Sequence, residues 1–138
     1  MKVFLDTNIL FSAILFPGST PDKALTKAFS APYDAYTSDY VLEELKRNFI
    51  LKFPHKERAL DAFLASLAVN IHIVDVNSTE YSNEKFLTDV DDKPVLRGAI
   101  QCDADILISG DKHFLSIAND ITKPRIMTAS DFYENTRV

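Results

Sequence analysis

The chain has 138 residues, 46% of them hydrophobic and 25% charged, which fits one folded domain and excludes an intrinsically disordered chain. With 20 acidic against 15 basic residues the formal net charge is −5, which at first argues against nucleic acid, because phosphate-binding domains usually present a basic surface. The single cysteine, Cys102, excludes an internal disulfide, and with only three scattered histidines it also excludes a zinc cluster.

In chain order, Val3-Phe4-Leu5 is an unbroken apolar run that ends at Asp6 and reads as a strand buried on both faces. Asn8 to Phe16 continues as an apolar helix up to Pro17-Gly18. Ser19 or Thr20 then caps a second helix with Pro21 in its first turn and an apolar face of Ala24, Leu25, Ala28 and Phe29. Tyr33 to Thr37 reads as a second strand. Ser38 and Asp39 offer an N-cap for a helix carrying Val41, Leu42, Leu45 and Phe49. A further helix begins near Lys56, and Ile71 to Val76 is a third strand.

The polar stretch from Asn77 to Asp91 holds one short helix around Tyr81 to Phe86. Asp92 opens a helix with Val95, Leu96, Ala99 and Ile100 on its apolar side. Asp105 to Ser109 is a fourth strand, closed by a turn at Gly110. Arg125 to Thr128 is a fifth, and Ser130-Asp131 caps a last short helix. Strands alternating with helices predict an α/β sheet with right-handed crossovers, in one domain spanning 1–138. No stretch reads as a signal peptide or reaches the ~20 apolar residues of a membrane span, so the expectation is a soluble, cytoplasmic protein.

Glycine is confined to Gly18, Gly98 and Gly110, so no glycine-rich phosphate loop is present. In open α/β sheets sites form at the carboxyl ends of strands. Asp6 directly follows the first strand and Asp111 follows the fourth. Asp92 lies three, four and seven residues before Val95, Leu96 and Ala99, on the face that points to the core, although Asp before Lys93-Pro94 also fits an N-cap. Glu44 flanks the apolar stripe of its helix, about 60° from Val41, whereas Glu43 lies nearer the opposite face.

Taken singly, each of these acids has an ordinary reading as a turn, cap or solvated residue. Together the four suggest a hard-cation site of oxygen ligands. Mg²⁺ or Mn²⁺ is expected over zinc, because no histidine or cysteine accompanies them. Such a site performs phosphoryl chemistry.

The order of these segments resembles the PIN domain family. The resemblance is carried by Val3-Phe4-Leu5-Asp6-Thr7-Asn8, by Ser38 to Leu45, by Asp91-Asp92-Lys93-Pro94-Val95-Leu96 running to Ala99, and by Ala104 to Phe114, with Pro124-Arg125-Ile126 before Ser130-Asp131-Phe132 in the place of the final strand and helix. It implies a three-layer α/β/α sandwich around a mainly parallel, twisted sheet of about five strands. It also implies metal-dependent cleavage of RNA and, at this length, the toxin half of a VapBC-type toxin–antitoxin pair. Carried over by position, Asp6, Glu44, Asp92 and Asp111 match the acidic quartet. Asp6, Asp92 and Asp111 would hold one or two Mg²⁺ or Mn²⁺ ions, with Thr7, Asn8 and Ser109 in support. The doublets leave Glu43 and Asp91 as alternatives by one residue, with spacing favouring Glu44 and Asp92. Asp105 is a lesser alternative, because it stands at the start of its strand.

The expected reaction is in-line hydrolysis of a phosphodiester by a metal-activated water. Lys46, Arg47, Lys93, Arg97 and Lys112 are candidates to hold the RNA backbone. His113 reads as an exposed loop residue with little functional weight, and Cys102 as a small buried hydrophobe. Phe11, Phe16 and Phe49 are expected in the core, or alternatively in a contact with an antitoxin or a second copy. Two other readings stand beside this one: a phosphotransfer or phosphatase protein using Asp6, and a catalytically inactive PIN-like interaction module. Assigning the quartet to metal leaves the other charges nearly balanced, so the acidic total no longer excludes RNA.

Overall fold

Val3, Phe4 and Leu5 are wholly buried, as an unbroken apolar run must be when a strand is covered on both faces. They lie in β1 (Lys2–Leu5), the centre of a five-stranded sheet in a computed structural model that describes residues 1–135. The last three residues of the expected 1–138 domain lie outside the described residues.

After β1 come α1 (Thr7–Leu15), α2 (Thr20–Ala28), β2 (Asp34–Ser38), α3 (Asp39–Lys52), α4 (Glu57–Asn70) and β3 (His72–Val74). A 3₁₀ turn at Ser82–Phe86 and another at Val90–Asp92 lead into α5 (Lys93–Gln101). Then follow β4 (Ile106–Ile108), α6 (Lys112–Leu115), β5 (Arg125–Met127) and α7 (Ala129–Asn135).

The strand order is β3-β2-β1-β4-β5, and all four pairings are parallel. Register is set by Val3 opposite both Ala35 and Ile106. The chain winds outward from β1 to β3, then crosses back to β4 on the other side of β1. Right-handed crossovers therefore put α1–α4 on one face and α5 and α6 on the other, the three-layer sandwich expected. This reversal leaves the carboxyl ends of β1 and β4 side by side with their following loops diverging, which opens a crevice there.

Close packing of α5 on the sheet depends on Gly98. A Cβ built there would stand 3.2 Å from both the Phe4 ring and the Ser38 Cβ. Two capping expectations change. Asp92 makes no side-chain cap for α5. At α7 the hydroxyl of Thr128, rather than Ser130 or Asp131, accepts from the Asp131 N–H at 3.0 Å. Ser38 caps α3 as expected, accepting from the Val41 N–H at 3.2 Å. Phe49 is fully buried, Phe11 half-buried and Phe16 exposed. Among the described residues no helix is long and apolar enough to cross a membrane.

Candidate active site

Asp6 leaves β1 and caps α1, its Oδ1 accepting from the Thr7 N–H at 2.6 Å. Its other oxygen, Oδ2, accepts from the Ser109 hydroxyl at 2.7 Å and from the Asn8 amide at 3.4 Å. Ser109 is the residue after β4, fully buried, and its oxygen also accepts from the Asp111 N–H at 3.0 Å. The Asn8 carbonyl oxygen accepts from the Gly110 N–H at 3.1 Å. These bonds stitch the loop after β1 to the loop after β4. Asp111 in turn caps α6, accepting from the His113 N–H at 2.9 Å.

Glu44 reaches the same place from α3, where Thr7 Oγ1 donates to its Oε1. Asp92 arrives from the other side of the sheet at the end of the second 3₁₀ turn. Its Oδ2 lies 2.7 Å from His113 Nδ1. Asp6, Glu44, Asp92 and Asp111 thus line one cavity of about 310 Å³, together with Thr7 and Asn8.

The geometry separates the doublets. Glu43 is exposed, lines a different groove and lies 3.8 Å from Lys46. Asp91 is exposed, and its contribution is a backbone carbonyl that accepts from the Tyr40 hydroxyl at 3.0 Å. Asp105 stands at the opposite, amino end of the sheet. There it accepts from the Lys2 N–H at 2.8 Å and lies 3.8 Å from Lys123, so it is no alternative ligand.

None of the five expected RNA-holding bases lines the cavity. Lys46, Arg47 and Lys112 are exposed, and Lys93 is half-buried at the start of α5. Arg97 is a correction. Its guanidinium is bound to the Glu84 carboxylate at 2.8 and 3.1 Å, and Glu84 is 1% exposed. A guanidinium tied to a buried acid holds the Ser82–Phe86 turn onto α5 and is not available to a phosphate.

Histidine 113 is also corrected. It lies on α6 rather than in a loop, pairs with Asp92, and is 3.7 Å from Asp111 Oδ1. Asp89, Asp92 and His113 bring ligand atoms within 4.8 Å of one another, which adds a nitrogen donor at the edge of the oxygen set. The cavity lining also includes Phe11, Ser12, Asn48 and Lys52, which the sequence alone did not single out as site residues. The spacing Glu44, Asn48, Lys52 was the available signal, since residues four apart share a helix face.

Electrostatics follow from this crowding. The Asp6 carboxyl is pushed up to about 7, mainly by burial. Hydrogen bonds from Ser109 and Thr7 act against that rise, and the charges of Glu44 and Asp111 add to it. Asp92 is also raised, first by burial, with the His113 hydrogen bond opposing. His113 is raised above the usual imidazole range by that same hydrogen bond and by the neighbouring carboxylates. A cavity that gathers four carboxylates, one of them with its pKa raised to about 7, brings like charges together. A hard divalent cation fits the oxygen donors and relieves their repulsion.

Comparison with known proteins agrees with this picture. A family model described as PIN domain matches residues 2–113. An uncharacterized protein of Methanocaldococcus jannaschii is 27% identical over 120 residues, covering 87% of this chain and 77% of its own length. The crystal structure of VapBC2 from Rickettsia felis, bound to a DNA fragment from their promoter, is similar with a TM-score of 0.71 at 19% identity. That match covers 93% of this chain and 98% of that one.

Proposed function

The chain belongs to the PIN domain family, and on that premise we propose that it is a metal-dependent endoribonuclease, the toxin half of a type II toxin–antitoxin pair. The observation that carries the reading is the convergence of Asp6, Glu44, Asp92 and Asp111, from four separate segments, on one cavity at the switch point of the sheet.

Asp6, Asp92 and Asp111 would hold one or two Mg²⁺ or Mn²⁺ ions. When bound, such an ion supplies Lewis acidity and neutralises charge that develops on the phosphate. The chain's own residues do the rest. Ser109 and the Thr7 N–H occupy the two oxygens of Asp6 and fix its orientation. Thr7 occupies one oxygen of Glu44, leaving Oε2 to accept a proton from the attacking water. Asn8 ties the two loops together, so the carboxylates keep their spacing as substrate enters. The buried carboxylate of Asp6, hydrogen-bonded at both oxygens, is a poor phosphoryl acceptor, which counts against the phosphotransfer reading. The cytoplasm, RNA, an antitoxin and a second copy of the chain complete the proposed setting.

The test is induction of the wild type against Asp6→Asn, with growth and RNA integrity followed together, and cleavage by the purified protein with Mg²⁺ or Mn²⁺ against EDTA. Growth arrest and RNA loss in the wild type alone are expected. Equal growth with intact RNA in both strains defeats the proposal.

A further inference from the structure

Asp92 differs from the other three site carboxylates in what holds it. Asp6 and Asp111 follow buried strands, and Glu44 stands beside the buried Leu45 on α3. The 3₁₀ turn at Val90–Asp92 has no buried residue of its own, and Val90 at its start is 73% exposed. Polar contacts must therefore set its position.

The peptide unit between Asp91 and Asp92 is held at both ends. Its carbonyl accepts from the Tyr40 hydroxyl at 3.0 Å, and its N–H donates to the Asp89 carbonyl at 3.2 Å. The Asp91 N–H donates to Asp89 Oδ1 at 2.9 Å. A peptide unit is planar, so fixing its oxygen and its nitrogen fixes the plane from which the Asp92 Cα departs. The bonds to Asp89 are local and travel with the turn, whereas the bond from Tyr40 ties the turn to α3.

The base of that tie is rigid. Tyr40 lies in the first turn of α3, where Ser38 caps the helix. Asp39 Oδ1 accepts from the Tyr40 N–H at 2.7 Å and from the Val76 N–H at 3.1 Å, which joins α3 to the chain after β3. Glu44 stands four residues further along, one turn away on the same helix. Burial raises the Tyr40 phenol above its ordinary range, and the charges of Glu44, Asp91 and Asp92 add to the rise against Arg47. The hydroxyl thus keeps its proton and stays a donor at neutral pH.

We propose that Tyr40 is a positioning residue of the candidate active site, its hydroxyl setting the peptide plane ahead of Asp92 so that one helix fixes the spacing between the Glu44 and Asp92 carboxylates. Tyr40 stands outside the cavity lining and acts through the Asp91 carbonyl. The inference rests on the reading of Asp92 as a metal ligand of a nuclease and adds a residue to it.

The test uses the full chain and Mg²⁺ itself, titrated by calorimetry into the wild type, Tyr40→Phe, Asp92→Asn and the double variant, each checked for folding by circular dichroism. Tyr40→Phe keeps the ring and removes only the hydroxyl. It is expected to weaken Mg²⁺ binding roughly 2- to 10-fold, the range for one net hydrogen bond, and to raise the Mg²⁺ concentration at half-maximal cleavage by the same factor. In the Asp92→Asn background the same substitution is expected to change Mg²⁺ affinity by less than about twofold, whereas a general loosening of the fold would weaken both backgrounds alike. In the metal-free protein, Tyr40→Phe is expected to speed amide exchange at Asp92 and leave it unchanged at Leu45. Unchanged Mg²⁺ affinity in folded Tyr40→Phe overturns the role, as does an equal loss in both backgrounds. Wild-type protein that binds Mg²⁺ in this Tyr40-dependent way but never cuts RNA supports the role and defeats the nuclease reading. Wild-type protein that binds neither Mg²⁺ nor Mn²⁺ defeats both.

Discussion

The Ser109 hydroxyl donates a 2.7 Å hydrogen bond to Asp6 Oδ2 from the end of the neighbouring strand. The same oxygen atom accepts the Asp111 N–H, so one buried hydroxyl orients two of the four site carboxylates. Its bond to Asp6 favours the ionised carboxylate. Ser109→Ala is therefore expected to raise the Asp6 pKa further, weaken Mg²⁺ binding about tenfold, and move the acid limb of cleavage to higher pH. Ser109→Thr keeps the hydroxyl and is expected to restore most of the loss. Calorimetric Mg²⁺ titration with a pH–rate profile reads both, and an unchanged acid limb in Ser109→Ala refutes the role.

The raised Asp6 pKa makes the metal-free protein less stable as pH rises. The carboxyl stands at about 7 in the fold against an ordinary value of 3.8. Between those values the folded state keeps a proton that the unfolded chain has released. Stability is then fully present below about pH 4 and is lost as pH rises through about 7, by an amount on the order of a few kcal/mol. A bound cation reverses the sign by favouring the ionised form. The Mg²⁺-induced rise in Tm is expected to be larger at about pH 8 than at about pH 5. Metal-free Asp6→Asn is expected to melt above the metal-free wild type at about pH 8. Equal Mg²⁺ shifts at both pH values contradict this account.

His113 reports on Asp92. Its imidazole pKa is raised above 6.5 chiefly by the hydrogen bond to Asp92, with the charges of Asp111 and Asp92 adding. A cation that engages Asp92 competes for the same oxygens. Titration followed by NMR should find the His113 pKa raised in the metal-free protein and returning toward its ordinary value in saturating Mg²⁺. Asp92→Asn should remove most of the shift without metal. A His113 pKa that ignores Mg²⁺ would place the ion away from Asp92.

The Glu84–Arg97 pair is structural. Both side chains are largely buried, with 1% and 11% exposure, and their closest approach is 2.8 Å. Removing one partner leaves a charge without compensation. Glu84→Ala is expected to cost about 3–5 kcal/mol by chemical denaturation. Lys46→Ala, which breaks an exposed 3.8 Å pair with Glu43, is expected to cost less than about 1 kcal/mol. Similar losses from the two would mean that the buried pair carries no special weight.

Much of the candidate site was legible because it obeys local rules. Asp6 and Asp111 follow apolar runs, and a polar residue at the carboxyl end of a strand faces the crevice of an open α/β sheet. Glu44 over Glu43 was legible as a preference, from its angle to the Val41–Leu45 stripe. Other features were hidden for physical reasons. Arg97 looks like any helical arginine until the Ser82–Phe86 turn folds back and supplies Glu84. Pairing between residues 92 and 113 depends on where two loops end in space, and no local spacing encodes it. Asn48 and Lys52 stand on the same helical face as Glu44, but a face becomes a cavity wall only when α1 packs against it.

By itself the sequence determined the alternation of strands and helices, the burial of β1, and the four acids that could serve a cation. Periodicity, capping and apolar run length are local properties, and local properties are written in neighbouring residues. Tertiary structure alone decided the order β3-β2-β1-β4-β5, which acid of each doublet faces inward, and which bases stay free. Those outcomes depend on contacts between residues up to 103 positions apart, as between Asp6 and Ser109, and only the packed sheet brings such residues together.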